Sequence, residues 1–409
     1  MRSIMPKCTL NDLDVAGKRT LLRVDFNVPL TPDHQVADAT RIRAALPSIQ
    51  AILNRGGFPI LMSHLGRPKG KTSPALSLAP CAKALSLELG RIVHFSPDCI
   101  GETALHHVNA LPKGEVLLLE NLRFYPEEEV PDPDRQFAAA LATLGQLYIN
   151  DAFGTAHRCH SSIVPITRYF PQASAMGLLM EKELSILATL LSSPTPPFSL
   201  ILGGAKLSTK ITLLQALLPK IQELFIGGGM AFTFLKCQNV PIGHSIYDPT
   251  QLTQAQAIID TCRQQNIPIH LPVDVVIEKV DSTPQELRTV TVKEGVPEGW
   301  RGMDIGPKTV AQWKPALFAS ATAFWNGPMG VYEVPAFAAG TISIATLLSQ
   351  TQATTIVGGG DSVAAIKKLQ LEAAFTHLST GGGAALAYLE HGHLPGIDAL
   401  SDTPLSKNS

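Results

Sequence analysis

Short apolar runs alternate with amphipathic stretches along nearly the whole chain, and this alternation constrains the fold more than any other feature of the sequence. Each run is short enough for a strand, and the stretches between runs have the spacing of helices. Strands are predicted at residues 21–28, 59–63, 91–95, 116–120, 147–150, 198–202, 224–226, 268–271, 323–325, 354–357 and 377–379. A strand, a helix and a second parallel strand are the repeating unit of parallel sheets. The pattern therefore predicts an α/β protein.

A chain of 409 residues is long for a single hydrophobic core, so more than one domain is expected. Residues 180–187 have a helical pattern, and three prolines follow within residues 192–197. Prolines end a helix and delay the next strand. We predict two doubly wound parallel-sheet (Rossmann-like) domains joined by a hinge helix. Residues 1–172 would form the first domain, and residues 173–390 the hinge helix with the second.

The charge of the chain is almost balanced, with 33 Lys and Arg residues against 34 Asp and Glu residues. A net charge of −1 gives no global field for nucleic acid, so any anion site must be built locally. No apolar stretch reaches the roughly 18 residues of a membrane span, and residues 1–14 lack a signal-peptide hydrophobic region. The six cysteines have no paired spacing, which is typical of reduced thiols. We expect a cytoplasmic protein that binds neither nucleic acid nor membrane.

Glycine runs follow four of the predicted strands in the second half of the chain. They lie at residues 203–204, 227–229, 358–360 and 381–383, each before a sequence compatible with a helix. Glycines let the backbone come close to a ligand, and a helix start offers free N–H groups to phosphate. A single run is explained equally well by tight helix–strand packing. Four runs at one edge of a sheet predict a cradle for a polyphosphate.

Charged residues next to these runs sharpen the prediction. Lys206 and Lys210 are expected one turn apart on the same face of a helix. Asp361 alone fits a helix N-cap, but a carboxylate beside a polyphosphate needs a cation between them. Asp361 therefore predicts a Mg²⁺ site. The segment from Asn326 to Glu333 forms a further polar loop at a strand end.

In the first half of the chain, charged side chains occupy the strand ends instead of glycines. These residues are His64, Arg67, Arg123 and Arg158, with Arg41 in the first turn of a predicted helix. A lone surface arginine is usually an ion pair worth about 0–1 kcal/mol. Four arginines and a histidine at one edge of one sheet predict a small, highly anionic ligand. Asp25 and Asn27 would orient its hydroxyl groups.

Other classes of protein fit these observations less well. An NAD-dependent dehydrogenase would carry a GxGxxG run with an acidic residue about 20 positions later, and neither is found. The string GRPKGKT at residues 66–72 is one residue short of a P-loop and contains a proline. A non-catalytic binder of sugar phosphates would not need a second anion site at the edge of a separate sheet. His157, Cys159 and His160 lack the distant partners of a structural metal site.

Several long motifs closely resemble the phosphoglycerate kinase family, and together they cover almost the whole chain. In the first half they are RVDFNVP at 23–29, SHLGRP at 63–68, LLENLRF at 118–124 and NDAFGTAHR at 150–158. In the second half they are GGAK at 203–206, GGGMAFTFLK at 227–236, WNGPMGV at 325–331, GGGDS at 358–362 and STGGGA at 379–384. The resemblance implies a monomeric glycolytic enzyme. Its reaction would be reversible, Mg²⁺-dependent phosphoryl transfer between ATP and 3-phosphoglycerate, giving ADP and 1,3-bisphosphoglycerate.

The resemblance also implies roles for individual residues. Phosphoglycerate would contact Asp25, Asn27, Arg41, His64, Leu65, Gly66, Arg67, Arg123 and Arg158. The nucleotide would contact Gly204, Lys206, Lys210, Gly228, Asn326, Glu333, Gly359, Gly360, Asp361 and Ser362, with Mg²⁺ at Asp361. Catalytic residues would be Arg41, Lys206, Lys210, Gly382 and Gly383. Residues 391–409 would return to pack on the first domain. Cys159 stands where the family usually has alanine.

Overall fold

Two six-stranded parallel sheets organise the protein, one in each of the two units into which the chain divides. The computed structural model describes residues 6–133, 135–281, 283 and 285–403. The first unit extends to Ser185 and includes the chain from His393 onward, and the second comprises Ile186–Gly392. Two parallel-sheet α/β domains are therefore confirmed as the fold class.

The sheet of the first unit contains the strands in the order β3-β4-β2-β1-β5-β6. The strands are β1 (Arg19–Arg23), β2 (Phe58–Met62), β3 (Val93–Ser96), β4 (Val116–Leu119), β5 (Leu147–Asn150) and β6 (Ser174–Met176). The helices are α1 (Thr40–Asn54), α2 (Ala79–Leu89), α3 (Gly101–Asn109), α4 (Gln136–Ala142) and α5 (Leu178–Ser192). Every residue of β4 and β5 is buried, as expected of parallel strands that are covered on both faces.

Local sequence explains where the helices near the site begin and end. Ile42, Ala45 and Ile49 are buried along one face of α1, at the spacing of a helical stripe. The carboxylate of Glu120, just after β4, accepts a hydrogen bond of 2.8 Å from the N–H of Leu78 at the start of α2. Gly90 ends α2 in the left-handed conformation that glycine adopts without strain. The hydrogen bond from Leu78 to Glu120 thus ties the start of α2 to the carboxyl edge of the sheet.

The sheet of the second unit has the order β15-β14-β13-β7-β8-β9. The strands of this unit are β7 (Phe198–Leu202), β8 (Glu223–Ile226), β9 (Ile269–His270), β10 (Asp274–Lys279), β11 (Leu287–Thr291), β12 (Trp300–Ile305), β13 (Thr322–Asn326), β14 (Thr354–Gly358) and β15 (His377–Leu378). The helices are α6 (Ile211–Leu217), α7 (Ala231–Cys237), α8 (Leu252–Gln264), α9 (Pro307–Ala319), α10 (Ala339–Ser349), α11 (Gly360–Lys368) and α12 (Gly382–His391).

A separate three-stranded antiparallel sheet, in the order β11-β10-β12, was not predicted from the sequence. Its edge strand β11 is mostly exposed and polar, so it lacks the apolar run by which the other strands were found. The sheet still buries a small core of its own, which includes Phe232, Ile242 and Val275. The three-residue strand β6 was missed for a similar reason, since it is too short to show a period.

The predicted first strand, residues 21–28, is wrong at its carboxyl end, because β1 stops at Arg23. The N–H of Phe26 donates to the hydroxyl of Ser63, 2.8 Å away, and the N–H of Val28 donates to the carbonyl of Phe26. The backbone therefore leaves the sheet and turns. This correction places Asp25 and Asn27 in a loop, where their side chains are available to a ligand.

Residues 393–403 lie in the first unit and include the short helix α13 (Pro395–Asp398). The N–H of Gly396 donates to the carbonyl of Ala156, and the N–H of Cys8 donates to the carbonyl of Ser401. The two units meet in sequence within α5, between Ser185 and Ile186, whereas the predicted division preceded this helix. Residues 404–409 of the predicted tail lie outside the described residues.

Over the described residues, no helix combines the length and the apolar character that crossing a bilayer requires.

Candidate functional site

In the first unit, the loops after β1, β2 and β4 are joined through the peptide groups of Gly66. The side-chain oxygen of Asn27 accepts a hydrogen bond of 2.9 Å from the Gly66 N–H. Arg123 donates from Nη1 to the Gly66 carbonyl at 2.8 Å. Gly66 has a φ of +61°, and an added Cβ would lie 2.7 Å from a methyl group of Leu76. Glycine is therefore required for this turn, and the turn fixes the directions of Asn27 and Arg123.

Arg41 and Asp25 form the ion pair at the mouth of this site. Arg41 Nη1 lies 2.6 Å from Asp25 Oδ2, and the side chain of Arg41 is 36% exposed. Asp25 comes from the loop after β1, and Arg41 comes from the first turn of α1. The side chain of Arg41 is thus partly exposed, and a guanidinium is the kind of group that binds phosphate and carboxylate.

His64 and Arg123 lie deeper in the site, and burial changes the pKa of both. Burial, with the charges of Arg23, Arg123 and Arg41, holds the pKa of His64 well below its ordinary value. Burial also lowers the pKa of Arg123, although Glu129, whose carboxylate is 3.0 Å from Nη2, opposes the shift. The lowered pKa favours the neutral imidazole of His64 in the ligand-free protein.

Arg67 and Arg158 are exposed at the same edge of the sheet. The charge of Arg67 contributes to the lowered pKa of Arg123. The charge of Arg158, after burial and the charges of Arg23 and Arg123, helps to lower the pKa of His160 to about 4. The structure thus brings these cationic residues near enough for Arg67 to act on Arg123, and for Arg123 and Arg158 to act on His160.

Leu65 was predicted to contact phosphoglycerate. Both of its backbone groups are already hydrogen-bonded within the protein. Its N–H donates to the side-chain oxygen of Asn121 at 3.2 Å, and its carbonyl accepts from the Asn121 amide at 2.8 Å. Asn121 also bonds to the carbonyl of Leu76 and is fully buried. The sequence analysis missed Asn121 as a support of the site. The feature of the sequence that could have revealed it is a polar asparagine just after an apolar strand.

In the second unit, a cavity of about 290 Å³ lies at the glycine turns. Its lining includes Gly204 after β7, Gly228 and Gly229 after β8, and the loop from Pro328 to Val331 after β13. Glu333 and Asp361 supply carboxylates to the lining. The cavity also has apolar walls that the sequence analysis missed, because they come from α7 and the antiparallel sheet. They are Phe232, Val275, Met303 and Ile305.

The glycines of this cavity allow backbone to pack directly on backbone. A Cβ on Gly203 would lie 2.1 Å from the carbonyl oxygen of Pro328, so no side chain fits there. The N–H of Gly204 donates to that same carbonyl at 2.8 Å, with a φ of +94° at Gly204. A Cβ on Gly382 would lie 3.0 Å from the Cα of Gly359, so the starts of α11 and α12 adjoin.

Lys206 and Lys210 do not share a helical face, which corrects the prediction. A short 3₁₀ helix, Leu207–Thr209, separates them, and α6 begins only at Ile211. Lys206 is exposed, while burial lowers the pKa of Lys210. Lys210 donates to the side-chain oxygen of Asn326, and the charges of Glu390 and Asp361 also act on it. The two lysines therefore have different environments: Lys210 is held in place and Lys206 faces solvent.

Asn326 has a buried group whose hydrogen bonding is incomplete. Its Nδ2 is buried and has no partner among the described residues, and a Cβ built on Gly359 would lie 3.0 Å from it. Buried polar groups normally have partners, so an unpaired donor at a glycine turn points to an acceptor that arrives with a ligand. Phosphate oxygens fit such a donor.

The remaining predicted residues lie at the starts of α11 and α12. Gly359 occupies the N-cap position, so Asp361 is not the N-cap residue, and it lies in the first turn with its side chain exposed. The hydroxyl of Ser362 is buried and accepts a hydrogen bond of 2.8 Å from the N–H of Gly327, which links two turns of the cavity. Gly360 and Gly383 lie in the first turns of α11 and α12.

The residues at this cavity fit Mg²⁺ that arrives with a nucleotide. No cluster of three or more His, Cys, Asp or Glu side chains suited to a metal is found in the part of the chain that the structure describes. Proteins usually bind Mg²⁺ through one or two carboxylates together with substrate phosphates, and not through a complete protein cage. Asp361, with Glu333 on the same cavity, matches that donor set.

Known proteins resemble this chain over nearly its full length. The sequence model of the family described as "Phosphoglycerate kinase" matches residues 10–392. A phosphoglycerate kinase of Chlorobium limicola is 49% identical over 401 residues, which cover 97% of this chain and 100% of that protein. One of Moorella thermoacetica is 48% identical, with the same coverage. The solved structure of phosphoglycerate kinase from Coxiella burnetii superimposes with a TM-score of 0.84 at 34% identity, covering 96% of this chain and 98% of that one.

Proposed function

Because the chain belongs to the phosphoglycerate kinase family and is thus a phosphotransferase that acts on a carboxyl group, we propose that it transfers the γ-phosphoryl group of ATP to 3-phosphoglycerate. The acceptor is the carboxylate, the products are ADP and 1,3-bisphosphoglycerate, and the reaction is reversible, as glycolysis requires. The observation that carries the proposal is the presence of two unlike anion sites, one lined by cationic side chains and one by glycine backbone.

The cationic site of the first unit binds 3-phosphoglycerate. Arg41, Arg67, Arg123 and Arg158 neutralise its phosphate and carboxylate. Each charge-assisted hydrogen bond contributes about 1.5–3 kcal/mol before ordering costs are subtracted. Asp25 and Asn27 orient the hydroxyl group, and His64 donates as a neutral imidazole. Gly66 and Leu65 hold the loop that carries Arg67.

The glycine-lined cavity of the second unit binds the nucleotide. The base and ribose occupy the cavity beside Gly204, Gly228 and Glu333, and the phosphates extend toward Lys210, Asn326 and the turn of Gly359 and Gly360. Asp361 would hold Mg²⁺, with Ser362 supporting the turn. When bound, Mg²⁺ supplies positive charge to the phosphates and lessens their repulsion of the acceptor.

Transfer needs alignment and positive charge more than acid–base chemistry. The acceptor carboxylate is ionised near neutral pH, so no base has to remove a proton. Phosphoryl transfer then depends on in-line positioning and on stabilising the charge of the moving group. Arg41, Lys206 and Lys210 provide mobile charge, and the backbone N–H groups of Gly382 and Gly383 at the start of α12 provide fixed charge.

Each substrate belongs to a different unit, so the proposal requires the units to bring them together and to exclude water during transfer. Helix α5, in which the two units meet in sequence, is the proposed hinge. X-ray scattering in solution tests this, since compaction is expected with both ligands present and not with either one alone. We further propose that the protein is cytoplasmic, since its six cysteines are free thiols. We also propose that it is a monomer, and light scattering would measure its mass in solution.

An assay of ADP formed from ATP in the presence of 3-phosphoglycerate tests the activity directly. Activity that requires both 3-phosphoglycerate and Mg²⁺ is expected, and its absence would contradict the proposal. Lys210→Ala should weaken both nucleotide binding and turnover, because it removes a held cation beside Asn326. Lys220→Ala, in a short 3₁₀ helix of the same unit, is the matched control and should retain both.

A further inference from the structure

A buried arginine behind the cationic site has no place in the mechanism above. Arg23 ends β1, and its side chain is fully buried. Its Nε donates to the hydroxyl of Ser162 at 3.0 Å, and its Nη1 donates to the carbonyl of Val24. Its Nη2 lies 3.1 Å from Nδ1 of His64. The guanidinium therefore reaches the back of a ligand-binding histidine without facing the ligand.

Arg23 is itself fixed in direction by a buried acidic group. Glu128 is fully buried and has Oε1 3.9 Å from Arg23 Nη2. The hydroxyl of Ser162 donates to Glu128 Oε1 at 2.6 Å, and the N–H of Ser162 donates to Oε2 at 2.9 Å. Since its hydroxyl proton points to Glu128, Ser162 can only accept from Arg23. Ser162 and Glu128 thus hold the guanidinium on the side away from His64.

The contact between Arg23 and His64 fixes where the imidazole carries its proton. All nitrogens of a guanidinium are donors, so Nδ1 of His64 must accept and must be unprotonated. The single ring proton is then on Nε2. No group in the described part of the chain hydrogen-bonds to Nε2, so that N–H is available to a ligand.

Five charged or titratable side chains face His64, and four of them favour the same state. Arg23, Arg41, Arg123 and the imidazole of His160 disfavour a second proton on the ring. Asp25 is the opposing group, and its Oδ1 lies 4.0 Å from Nδ1. This distance exceeds that of a hydrogen bond, whereas Nη2 of Arg23 is within hydrogen-bonding distance. The arginine therefore determines the tautomer.

We propose that Arg23, held by Ser162 and Glu128, is a positioning residue that keeps His64 as the neutral Nε2–H tautomer, so that His64 donates a hydrogen bond to the anionic ligand. The inference rests on the proposed function only for the ligand's identity. The tautomer itself is a property of the free protein. His64 then neither gives up nor takes a proton in the reaction, and its contribution is to binding.

Nitrogen-15 NMR of the histidine rings tests this without activity or ligand, with His64→Gln used to assign the signals. In spectra recorded from about pH 6 to about pH 8, which spans neutrality, His64 should show an unprotonated Nδ1 and a protonated Nε2. The same pattern should persist with 3-phosphoglycerate bound. A proton on Nδ1 in either state would overturn the proposal, even if the enzyme is fully active.

A double variant tests the role of Arg23 without leaving an unpaired buried charge. Arg23→Met combined with Glu128→Gln removes both charges together, which cores tolerate better than removing one. A proton should then appear on Nδ1 of His64, and KM for 3-phosphoglycerate should rise about tenfold, the effect of one charged hydrogen bond, with kcat changed less. Arg19→Lys, on the same strand, is the control. Unchanged His64 signals in a folded double variant would show that Arg23 does not set the tautomer.

Discussion

The two proposed anion sites of this protein differ in what they are made of. The site of the first unit consists of charged side chains that are held by other side chains, as Arg123 and Asn27 are held at Gly66. The site of the second unit relies more on backbone, since glycines such as Gly203 and Gly228 pack against carbonyl groups with no space for a Cβ. Side chains can follow a small ligand as it moves, whereas packed backbone offers fixed N–H groups to a polyphosphate.

This difference suits the ligand proposed for each site. A three-carbon acid with a phosphate has two anionic ends, and rigid guanidinium groups bind such ends bidentately. A nucleotide has a large apolar base, for which the second unit provides Phe232, Val275 and Ile305 around its cavity. If this account is right, substitutions should impair catalysis at the first site and folding or nucleotide binding at the second.

Arg41→Ala should have the largest effect. Arg41 is the partly exposed partner of Asp25 in the first site, and the proposed mechanism assigns its charge to the transferred group. We expect kcat to fall about 100- to 1,000-fold, the loss seen when one charge-stabilising donor is removed, with nucleotide affinity nearly unchanged. Steady-state kinetics and calorimetry with ADP measure the two quantities.

Arg43→Ala is the matched control, since Arg43 lies on the same helix and pairs with Glu88 away from the site. It should retain activity. A change in KM alone for Arg41→Ala would assign Arg41 to binding and not to catalysis.

Gly203→Ala should destabilise the second unit. The added methyl group would lie 2.1 Å from the carbonyl oxygen of Pro328, and backbone cannot move aside as a side chain would. We expect a loss of about 1–3 kcal/mol in the free energy of unfolding, together with weaker nucleotide binding. Denaturant unfolding and calorimetry measure both.

Gly360→Ala is the control for this comparison, because a Cβ at Gly360 meets nothing within 4 Å and lies in a helix. It should be as stable as the parent. Equal stability of Gly203→Ala and Gly360→Ala would remove the argument that the second site is made of packed backbone.

The sequence predicts the two sites unequally, for physical reasons. Arginines at strand ends are conspicuous in the sequence because charge is rare in apolar strands, so Arg123 and Arg158 could be predicted as site residues. The supports of that site, Asn121 and Arg23, are also polar residues beside apolar strands. Their partners lie far along the chain, at Leu65 and Ser162, and no local pattern reveals such contacts.

For the second site, glycine runs predict the turns but not the walls. The antiparallel sheet that supplies Val275 and Met303 has a polar edge strand and no regular period. The pairing of Lys206 with Lys210 failed because a 3₁₀ turn delays the helix to Ile211. Local propensity does not determine where a helix begins when the preceding turn is fixed by tertiary packing.

Acidification should change the free energy of unfolding in opposite directions through two buried groups, one in each unit. Burial lowers the pKa of His160 to about 4 in the first unit, and burial raises the pKa of Asp304 to about 7 in the second. Between pH 4 and 6.5 the unfolded chain binds more protons at His160 than the folded chain does, so acidification destabilises through this residue. Asp304 binds more protons when folded, so acidification stabilises through it.

His160→Gln should therefore reduce the loss of thermal stability between about pH 6.5 and pH 4.5, the range below the ordinary histidine pKa. The same substitution at the exposed His106 is the control for loss of a surface imidazole. A steeper loss of stability in His160→Gln would contradict the assigned shift.

Alkylation of Cys159 should have the smallest effect. Cys159 is exposed next to Arg158, whereas burial raises the pKa of Cys81 to about 12 and of Cys262 to about 11. The exposed thiol should react first, and bound 3-phosphoglycerate should slow the reaction. We expect weaker phosphoglycerate binding and unchanged ADP binding. Cys159→Ser should make the enzyme insensitive to alkylation. Full activity of an enzyme that is quantitatively alkylated at Cys159 would contradict this prediction.

Hydrogen exchange with each ligand added separately tests the central claim most directly. We expect 3-phosphoglycerate to protect amides of the loops around Asn27, Gly66 and Arg123 in the first unit alone. ADP with Mg²⁺ should protect the turns of Gly204, Gly228 and Gly359 in the second unit alone. Protection of the same unit by both ligands would contradict the account.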